Sequence, residues 1–566
     1  MASPNDRKST MWQDARWQPR IHRHVFILIV LLTSGCVATG PLEWIQNGFK
    51  VGPNYAKPPA PVAEEWIEAN NPSLQNRHLQ DWWSVFDDPA LNSLIDKAYE
   101  QNLTLRVLGN RVLQARAQRA IAAGNLFPQT QTAEGTYSAA TLGGSPATLG
   151  LVGFNLSWEL DFWGRFRRNV ESATANLDAS IENYDDALVT LLADVATNYV
   201  QYRVAQQRIR IARANVKIQK DILDLVEEQE GVGINKVTKL DVYQARTALE
   251  QTRATIPALQ ITLGQANDTL CILLGVPPFD LERDLGIGPD PFAPGEKRGV
   301  AGPVPTTPEW VAVGIPADLL RRRPDIRSAE RQVAAQSAQI GVAEADLYPA
   351  IAVDGTIGYE NINAAPLIVS KGFLGFVTPT FTWKILNYGR IRNNIRLQEA
   401  KTEELIAAYQ NKVLTAAQEV QTPLRGFLRS REQAMDLARS VIAATGALET
   451  GKNQFRVGTI PFNTVFNLET TQVQQQDNLA VARGNIALNL INVYRGLGGG
   501  WELRTQKEEF EKVRKGHGVT EVVASPAFQV PYQLVAPPLA TPEPVAEVPT
   551  VLETLPPARF GMPVAR

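Results

Sequence analysis

Few side chains in this chain are placed to do chemistry. There are two cysteines, Cys36 and Cys271, and four histidines, His22, His24, His78 and His517. None of the histidines falls in the repeated segments described below, which all but removes imidazole metal sites and histidine-based nucleophilic catalysis from the core. The sequence has no phosphate-binding glycine loop, metal-ligand cluster or nucleophile–base set, so neither a cofactor nor an enzymatic activity is expected. Cys271 lies in the apolar stretch Leu270-Cys271-Ile272-Leu273-Leu274 and reads as a small buried hydrophobe. The surroundings of Cys36 point instead to covalent modification. Arg16, Arg20 and Arg23 precede the apolar run Val25 to Leu32, and Leu32-Thr33-Ser34-Gly35-Cys36 follows. A charged region, a short apolar run and a small-residue cleavage site make residues 1–35 a secretory leader. Its ending looks like a bacterial lipobox, in which the cysteine becomes the acylated first residue, with Thr33 standing where leucine is usual. The competing reading is an ordinary signal peptide cut nearby, with Cys36 incidental. Val37 in place of an aspartate favours the outer membrane, where acyl chains would anchor the chain without inserting it.

The elements that follow the leader carry one pattern twice. Trp158-Glu159-Leu160-Asp161-Phe162-Trp163-Gly164-Arg165-Phe166-Arg167 returns as Trp383-Lys384-Ile385-Leu386-Asn387-Tyr388-Gly389-Arg390-Ile391-Arg392, an offset of 225 residues (383 − 158). Tyr184 maps to Tyr409 and Val232-Gly233 to Val457-Gly458 at the same offset. The chain of 566 residues is therefore expected to be two halves of one architecture, repeat 1 over 81–295 and repeat 2 over 296–504. They are preceded by a Pro-rich extended segment (36–80) expected to pack little core, and followed by a Pro-rich tail (505–566) expected to lack fixed structure. A net charge of −2 gives no basic field for nucleic acid.

Helical periodicity dominates. Residues 88–126 read as helix with a break near Asn102. Residues 166–229 contain no Pro or Gly, and these 64 residues would reach about 96 Å as helix, with a partner over 237–274. In the second half, Pro324 opens a helix to about Leu347, a long helix covers 391–456, and its partner covers 462–497. Pro423 should kink the long helix, since proline removes a backbone donor. Between the helices lie two hairpins, about 129–161 and 351–385. Val152, Phe154, Leu156, Trp158 and Leu160 alternate with small, polar and charged residues, as do Ile351, Val353, Ile357 and Tyr359, and Val377, Pro379, Phe381 and Trp383. The first strand, mostly Gln, Thr and Ala, is weaker. A soluble sandwich would show similar alternation, but the leader tips the balance to a transmembrane barrel, apolar to lipid and polar to lumen. Trp158 and Trp383 would sit at the membrane interface. Gly164 and Gly389 would allow the turn from strand to helix, and Pro128 and Pro349 would end each inbound helix before its strand. Four strands cannot close a barrel, and an open edge in lipid leaves backbone groups unpaired, so several copies must contribute.

These residues resemble the outer-membrane efflux family of the TolC and OprM group, most closely its lipoprotein, NodT-like branch. Val51-Gly52-Pro53-Asn54-Tyr55, Trp82-Trp83 with Phe86 and Asp88-Pro89, Leu319-Leu320-Arg321-Arg322-Arg323-Pro324-Asp325-Ile326 and Leu497-Gly498-Gly499-Gly500-Trp501 carry the resemblance, which spans about 36–501. Pro423 is not part of the family pattern. The resemblance implies a mainly α fold with a β-barrel segment: a homotrimer whose twelve strands form one barrel and whose helices form a long α-helical barrel across the periplasm. It implies an exit duct, performing no chemistry, for an inner-membrane pump joined through a periplasmic adaptor. The alternative is a structural or adhesive coiled-coil lipoprotein without a pore. The resemblance also implies a gate at the helical tip, after Gly233 and Gly458. Thr464 and Asn467 stand where relatives often have an acidic residue, with Glu469, Asp241 and Lys239 nearby, so the tip is expected to be less cation-selective than an acidic ring would make it. Thr464 and Asn467 could also be plain helix-start residues. Arg321, Arg322 and Arg323 invite an anion-site reading, but are expected to form a solvated or salt-bridged turn before Pro324.

Overall fold

The computed structural model describes residues 39–75, 80–142, 145–232, 237–286, 304–362 and 372–507. The leader with Cys36, the turn at Gly233 and the tail beyond 507 lie outside the described residues. In chain order the helices are α1 (Pro41–Gln46), α2 (Pro89–Gln101), α3 (Leu103–Gly124), α4 (Arg165–Val232), α5 (Lys239–Leu273), α6 (Glu282–Leu285), α7 (Leu319–Arg322), α8 (Pro324–Ala345), α9 (Arg390–Arg456) and α10 (Phe462–Gly496). The strands are β1 (Leu74–Gln75), β2 (Thr130–Leu142), β3 (Ser145–Leu160), β4 (Val311–Ala312), β5 (Ala350–Ile362) and β6 (Phe373–Thr382). No described helix is long and apolar enough to cross a membrane.

The two hairpins make one antiparallel sheet in the order β2-β3-β5-β6. Its register collects like residues on one face. Trp158 lies opposite Val353 and Val353 opposite Pro379; Leu160 lies opposite Ile351 and Ile351 opposite Phe381. The other face is polar and internally bonded. Ser157 Oγ donates to Asp354 Oδ1 at 2.6 Å, Thr380 Oγ1 to Asp354 Oδ2 at 3.1 Å, and Thr356 Oγ1 to Asn155 Oδ1 at 2.8 Å. The strands, 13, 16, 13 and 10 residues long, reach the roughly 9–11 residues that a tilted membrane crossing needs.

The helices pack side by side into a wall that continues from the sheet. In its sheet-proximal half the contacts run α3–α4–α8–α9; in its far half they run α5–α4–α10–α9. Only α4 and α9, 68 and 67 residues long and so about 100 Å each, run the full height. They bury the same stripe: Tyr184, Leu188, Leu191, Val195, Tyr199 and Tyr202 on α4, and Tyr409, Val413, Ala416, Val420, Leu424 and Phe427 on α9. Each pair is 225 residues apart, so the duplication preserved the core as well as the junction motif. Every such side chain taken from water contributes roughly 1.5–3 kcal/mol. The shorter helices abut end to end at mid-height. Asn102, which caps α3, donates to the Leu273 carbonyl at the end of α5 (2.8 Å), and Arg323, before α8, donates to the Gly496 carbonyl at the end of α10 (2.9 Å).

Helix α9 runs without interruption from Arg390 to Arg456 with Pro423 inside it, and the flanking Val420, Leu424 and Phe427 are buried. One expectation needs revision. The segment after the leader packs more core than its proline content suggests. Val51 and Trp66 are buried, Trp66 Nε1 donates to the Gly314 carbonyl at 3.0 Å, and β1 pairs in parallel with β4. The three arginines form the expected salt-bridged turn: Arg321 and Arg322 pair with Asp318, and Arg323 with Asp325 and Glu419. Cys271 is fully buried with a free thiol.

Candidate functional site

The duplicated motif builds the passage from sheet to helix wall. In each copy the tryptophan indole pins the departing strand to the arriving helix: Trp158 Nε1 donates to the Leu126 carbonyl at 3.2 Å, and Trp383 Nε1 to the Leu347 carbonyl at 2.9 Å. Pro128 and Pro349 stand between the last helical turn and the strand. Gly164 and Gly389 turn the chain with φ of +81° and +79°, a left-handed conformation that costs a residue with a Cβ roughly 1 kcal/mol or more.

The two junctions are finished differently. In the first, Asp161 accepts from Phe166 N (2.8 Å) and Arg167 N (3.0 Å), capping the free amides at the start of α4, and pairs with Arg167 Nε at 2.8 Å. The segment ahead of the repeats crosses it. Val51 N donates to the Trp163 carbonyl at 3.0 Å, and Lys50 pairs with Glu171. Arg168, only 2% exposed, donates to the Val51 carbonyl (3.0 Å), the Gly52 carbonyl (2.7 Å) and Asn54 Oδ1 (3.1 Å), and pairs with Glu171 at 2.8 Å. Trp163 stacks on Tyr348 at 4.5 Å and donates to the Pro349 carbonyl at 2.8 Å. In the second junction Leu386, Tyr388 and Asn393 replace Asp161, Trp163 and Arg168, and Ile385, Leu386 and Tyr388 are 71%, 80% and 90% exposed.

The far tip holds the gate candidates. Helix α9 ends in a Schellman turn, with Gly458 N bonded to the Phe455 carbonyl and Thr459 N to the Gln454 carbonyl, and Gly458 at φ +79°. Thr464 and Asn467 are both exposed, three residues apart on one face of α10. Asp241 is committed to a capping box: its carboxylate accepts from Thr238 N and Thr238 Oγ1 at 2.8 and 2.7 Å. Lys239 is exposed beside it. Glu469 sits apart from this group. It is 3% exposed within the helix packing, accepts a hydrogen bond from Gln219 of α4, and its Oε1 has no partner among the described residues. Burial pushes its carboxyl up to about 7, against the opposing pull of the Gln219 hydrogen bond and the Lys452 charge. Glu469 thus falls on the stripe Phe462, Val465, Glu469 and Gln472, a spacing of 3, 4 and 3 that marks a buried helix face. That spacing was available in the sequence and separates Glu469 from the exposed pair.

At mid-height, where α8 and α10 abut between α4 and α9, a polar cavity of about 780 Å³ is lined by Asp186, Asp325, Glu419, Arg323 and Arg495 among others. Burial and the neighbouring Asp325 raise the Asp186 carboxyl above its ordinary range.

The family model described as outer membrane efflux protein matches residues 94–276 and 315–499, one stretch in each repeat. The chain belongs to this family. Among curated members, nodulation protein T of Rhizobium leguminosarum bv. viciae is 30% identical over 471 residues, covering 82% of this chain and 93% of that one. The probable outer membrane lipoprotein SilC of Salmonella typhimurium is 28% identical, covering 84% and 98%. Of solved structures, the outer-membrane channel OprN superposes with a TM-score of 0.71 at 30% identity, covering 80% of this chain and 99% of that one. An efflux-family member with this fold is an outer-membrane channel.

Proposed function

We propose that three copies of the chain close head to tail into one duct. Four strands per copy give a twelve-stranded barrel, and the helix walls join into a periplasmic tunnel that passes cargo from an inner-membrane pump and its periplasmic adaptor to the exterior. The observation that carries this reading is that sheet and wall are open at matching edges. Strand β2 ends one side of the sheet and β6 the other. Below them, α3 and α5 bound one side of the wall with Leu103, Val107, Ile121, Ile261 and Ile272 at 52–68% exposure, and α9 bounds the other with Leu397, Leu414, Met435 and Ile442 at 51–74%. An unpaired strand edge in hydrocarbon costs several kcal/mol per backbone group, and the smallest membrane barrels have eight strands, so one chain cannot close alone. Unlike edges joining head to tail generate a ring.

On this reading Cys36 carries the acyl anchor, Trp158 and Trp383 lie at the membrane interface, and the hinge residues Pro128, Gly164, Pro349 and Gly389 set the angle between barrel and tunnel. Thr464 and Asn467 of three chains narrow the tip by size and hydrogen bonding, with Lys239 and Asp241 beside them and Glu469 behind. The duct performs no chemistry of its own, and the choice of cargo rests mainly with the pump. Native mass spectrometry of the detergent-extracted protein should give three copies with acylated Cys36, and planar bilayers should show discrete channels of modest cation selectivity. A monomer without conductance would instead support a poreless coiled-coil lipoprotein. Strong cation selectivity lost only on replacing Glu469 or Asp241 would overturn the assignment of the gate to Thr464 and Asn467.

A further inference from the structure

The segment between the leader and the repeats carries an apolar patch that the duct does not use. Helix α1 presents Leu42 and Ile45, three residues apart, at 69% and 54% exposure; Phe49 follows at 50%, and Phe162 beside them is 45% exposed. Trp44 fills the centre, its ring 4.9 Å from Phe49, 5.2 Å from Phe162 and 5.5 Å from Trp163. The patch is held firmly: Arg167 donates to the Gly48 and Phe49 carbonyls at 2.8 Å each, and Val51 N to the Trp163 carbonyl at 3.0 Å.

Its position identifies the occupant. Phe162 follows directly on the end of β3, its N–H closing a tight turn onto the Leu160 carbonyl at 2.8 Å, so the patch adjoins the end of the strand that carries Val152, Phe154, Leu156, Trp158 and Leu160. It also lies against Trp163, which is bonded to Pro349 at the start of β5, so it sits where both central strands enter or leave the sheet. Cys36 is five residues before Pro41. Aromatic and aliphatic side chains held on a short polar-backed helix beside a lipid-facing surface have the make-up of an interfacial membrane contact.

We propose that Pro41–Phe49 is a membrane foot that seats Leu42, Ile45, Phe49 and Phe162 in the periplasmic leaflet of the outer membrane, at the depth of the lipid carbonyls and upper acyl chains. The foot rests on the reading of the sheet as a membrane barrel. It makes the first repeat bind the bilayer at a second place besides its strands, and it fixes how deep the hinge at Gly164 lies.

The test uses the full-length acylated protein in vesicles of phosphatidylethanolamine and phosphatidylglycerol. Two versions with one added cysteine each, Ile45→Cys in the foot and Val377→Cys on the apolar face of β6, carry a small fluorophore; Cys271 is buried and Cys36 acylated, so neither competes for label. The expected result at Ile45→Cys is loss of fluorescence to lipids spin-labelled near the headgroup end of the chain, less loss to lipids labelled near the chain end, and protection from aqueous iodide. At Val377→Cys the deeper label should quench more. Quenching of Ile45→Cys by iodide and not by lipid, with Val377→Cys still quenched by lipid, would overturn the foot and leave the barrel standing. Failure of lipid to quench Val377→Cys would overturn the barrel reading and the foot with it.

Discussion

The junction after β3 and the junction after β6 descend from one motif and turn through the same kind of glycine, yet the first is finished inside the chain and the second is left bare. In the first, Asp161 caps α4, Trp163 stacks on Tyr348, and Arg168 holds the crossing segment by three hydrogen bonds while Glu171 beside it pairs with Lys50 of that segment. In the second, the equivalent Leu386, Tyr388 and Asn393 make no comparable contacts among the described residues, and the junction exposes apolar side chains. The tip shows the same asymmetry. Repeat 1 enters α5 through the Thr238–Asp241 capping box, whereas repeat 2 enters α10 behind Pro461 without a side-chain cap and leans on repeat 1 through Glu469 and Gln219. A duplicated unit can keep its geometry while its two copies divide the work, one fastening the chain to itself and the other offering surface to a neighbour.

Removing the fastening at one junction should cost far more than the matching change at the other. Arg168→Ala leaves the Val51 and Gly52 carbonyls without their buried donor, each at about 1–3 kcal/mol, and should cost about 3–5 kcal/mol in all, with the 39–54 segment becoming open to protease. Asn393→Ala should stay within about 0.5 kcal/mol. Equal shifts in thermal midpoint for the two would break the comparison. Next comes the hinge pair. A Cβ on Gly164 would lie 2.8 Å from the Lys50 Cα, whereas on Gly389 its nearest neighbour is Asn393 at 3.7 Å. Gly164→Ala should therefore lower stability by about 2–4 kcal/mol and Gly389→Ala by about 1, read as the difference in thermal midpoint.

A smaller effect is expected where repeat 2 leans on repeat 1. The Glu469 carboxyl is raised from 4.5 to about 7, so between these values the folded chain holds a proton that the unfolded chain has released. Stability from this site is full below about pH 4.5 and falls as pH rises to about 7, by on the order of 3 kcal/mol. Glu469→Gln should flatten that slope and strengthen the tip at pH 8, seen as slower hydrogen exchange in α10. An unchanged slope would remove Glu469 from the account. Smallest of all, Asp161→Ala should cost about 1 kcal/mol through the lost cap of α4, while Leu386→Ala should leave the single chain unchanged but weaken the proposed trimer on native gels.

Much of this molecule was legible in the sequence because the duplication supplies its own control. The offset of 225 located both junctions, and the same offset relates Tyr184 to Tyr409 along the buried stripe. Strand alternation gave the sheet faces, and the break at Asn102 and the opening at Pro324 were set by capping chemistry that local sequence carries. What could not be read was long-range. Nothing local to Lys50 or Val51 announces that they cross the start of α4 more than 110 residues later, and no propensity places Trp66 against Gly314. At the tip, nearness to the turn grouped Glu469 with Thr464 and Asn467, although its spacing from Phe462 and Val465 points it inward.

The end-to-end meeting of helices at mid-height has a mechanical consequence. Each repeat spans the full height with one continuous strut, α4 or α9, and one jointed member, α3 with α5 or α8 with α10, each joint stitched by a single side chain, Asn102 or Arg323. A pull on the tip therefore has an unbroken covalent helical path to the sheet along α4 and along α9, whereas the path through each jointed member passes across non-covalent contacts at mid-height.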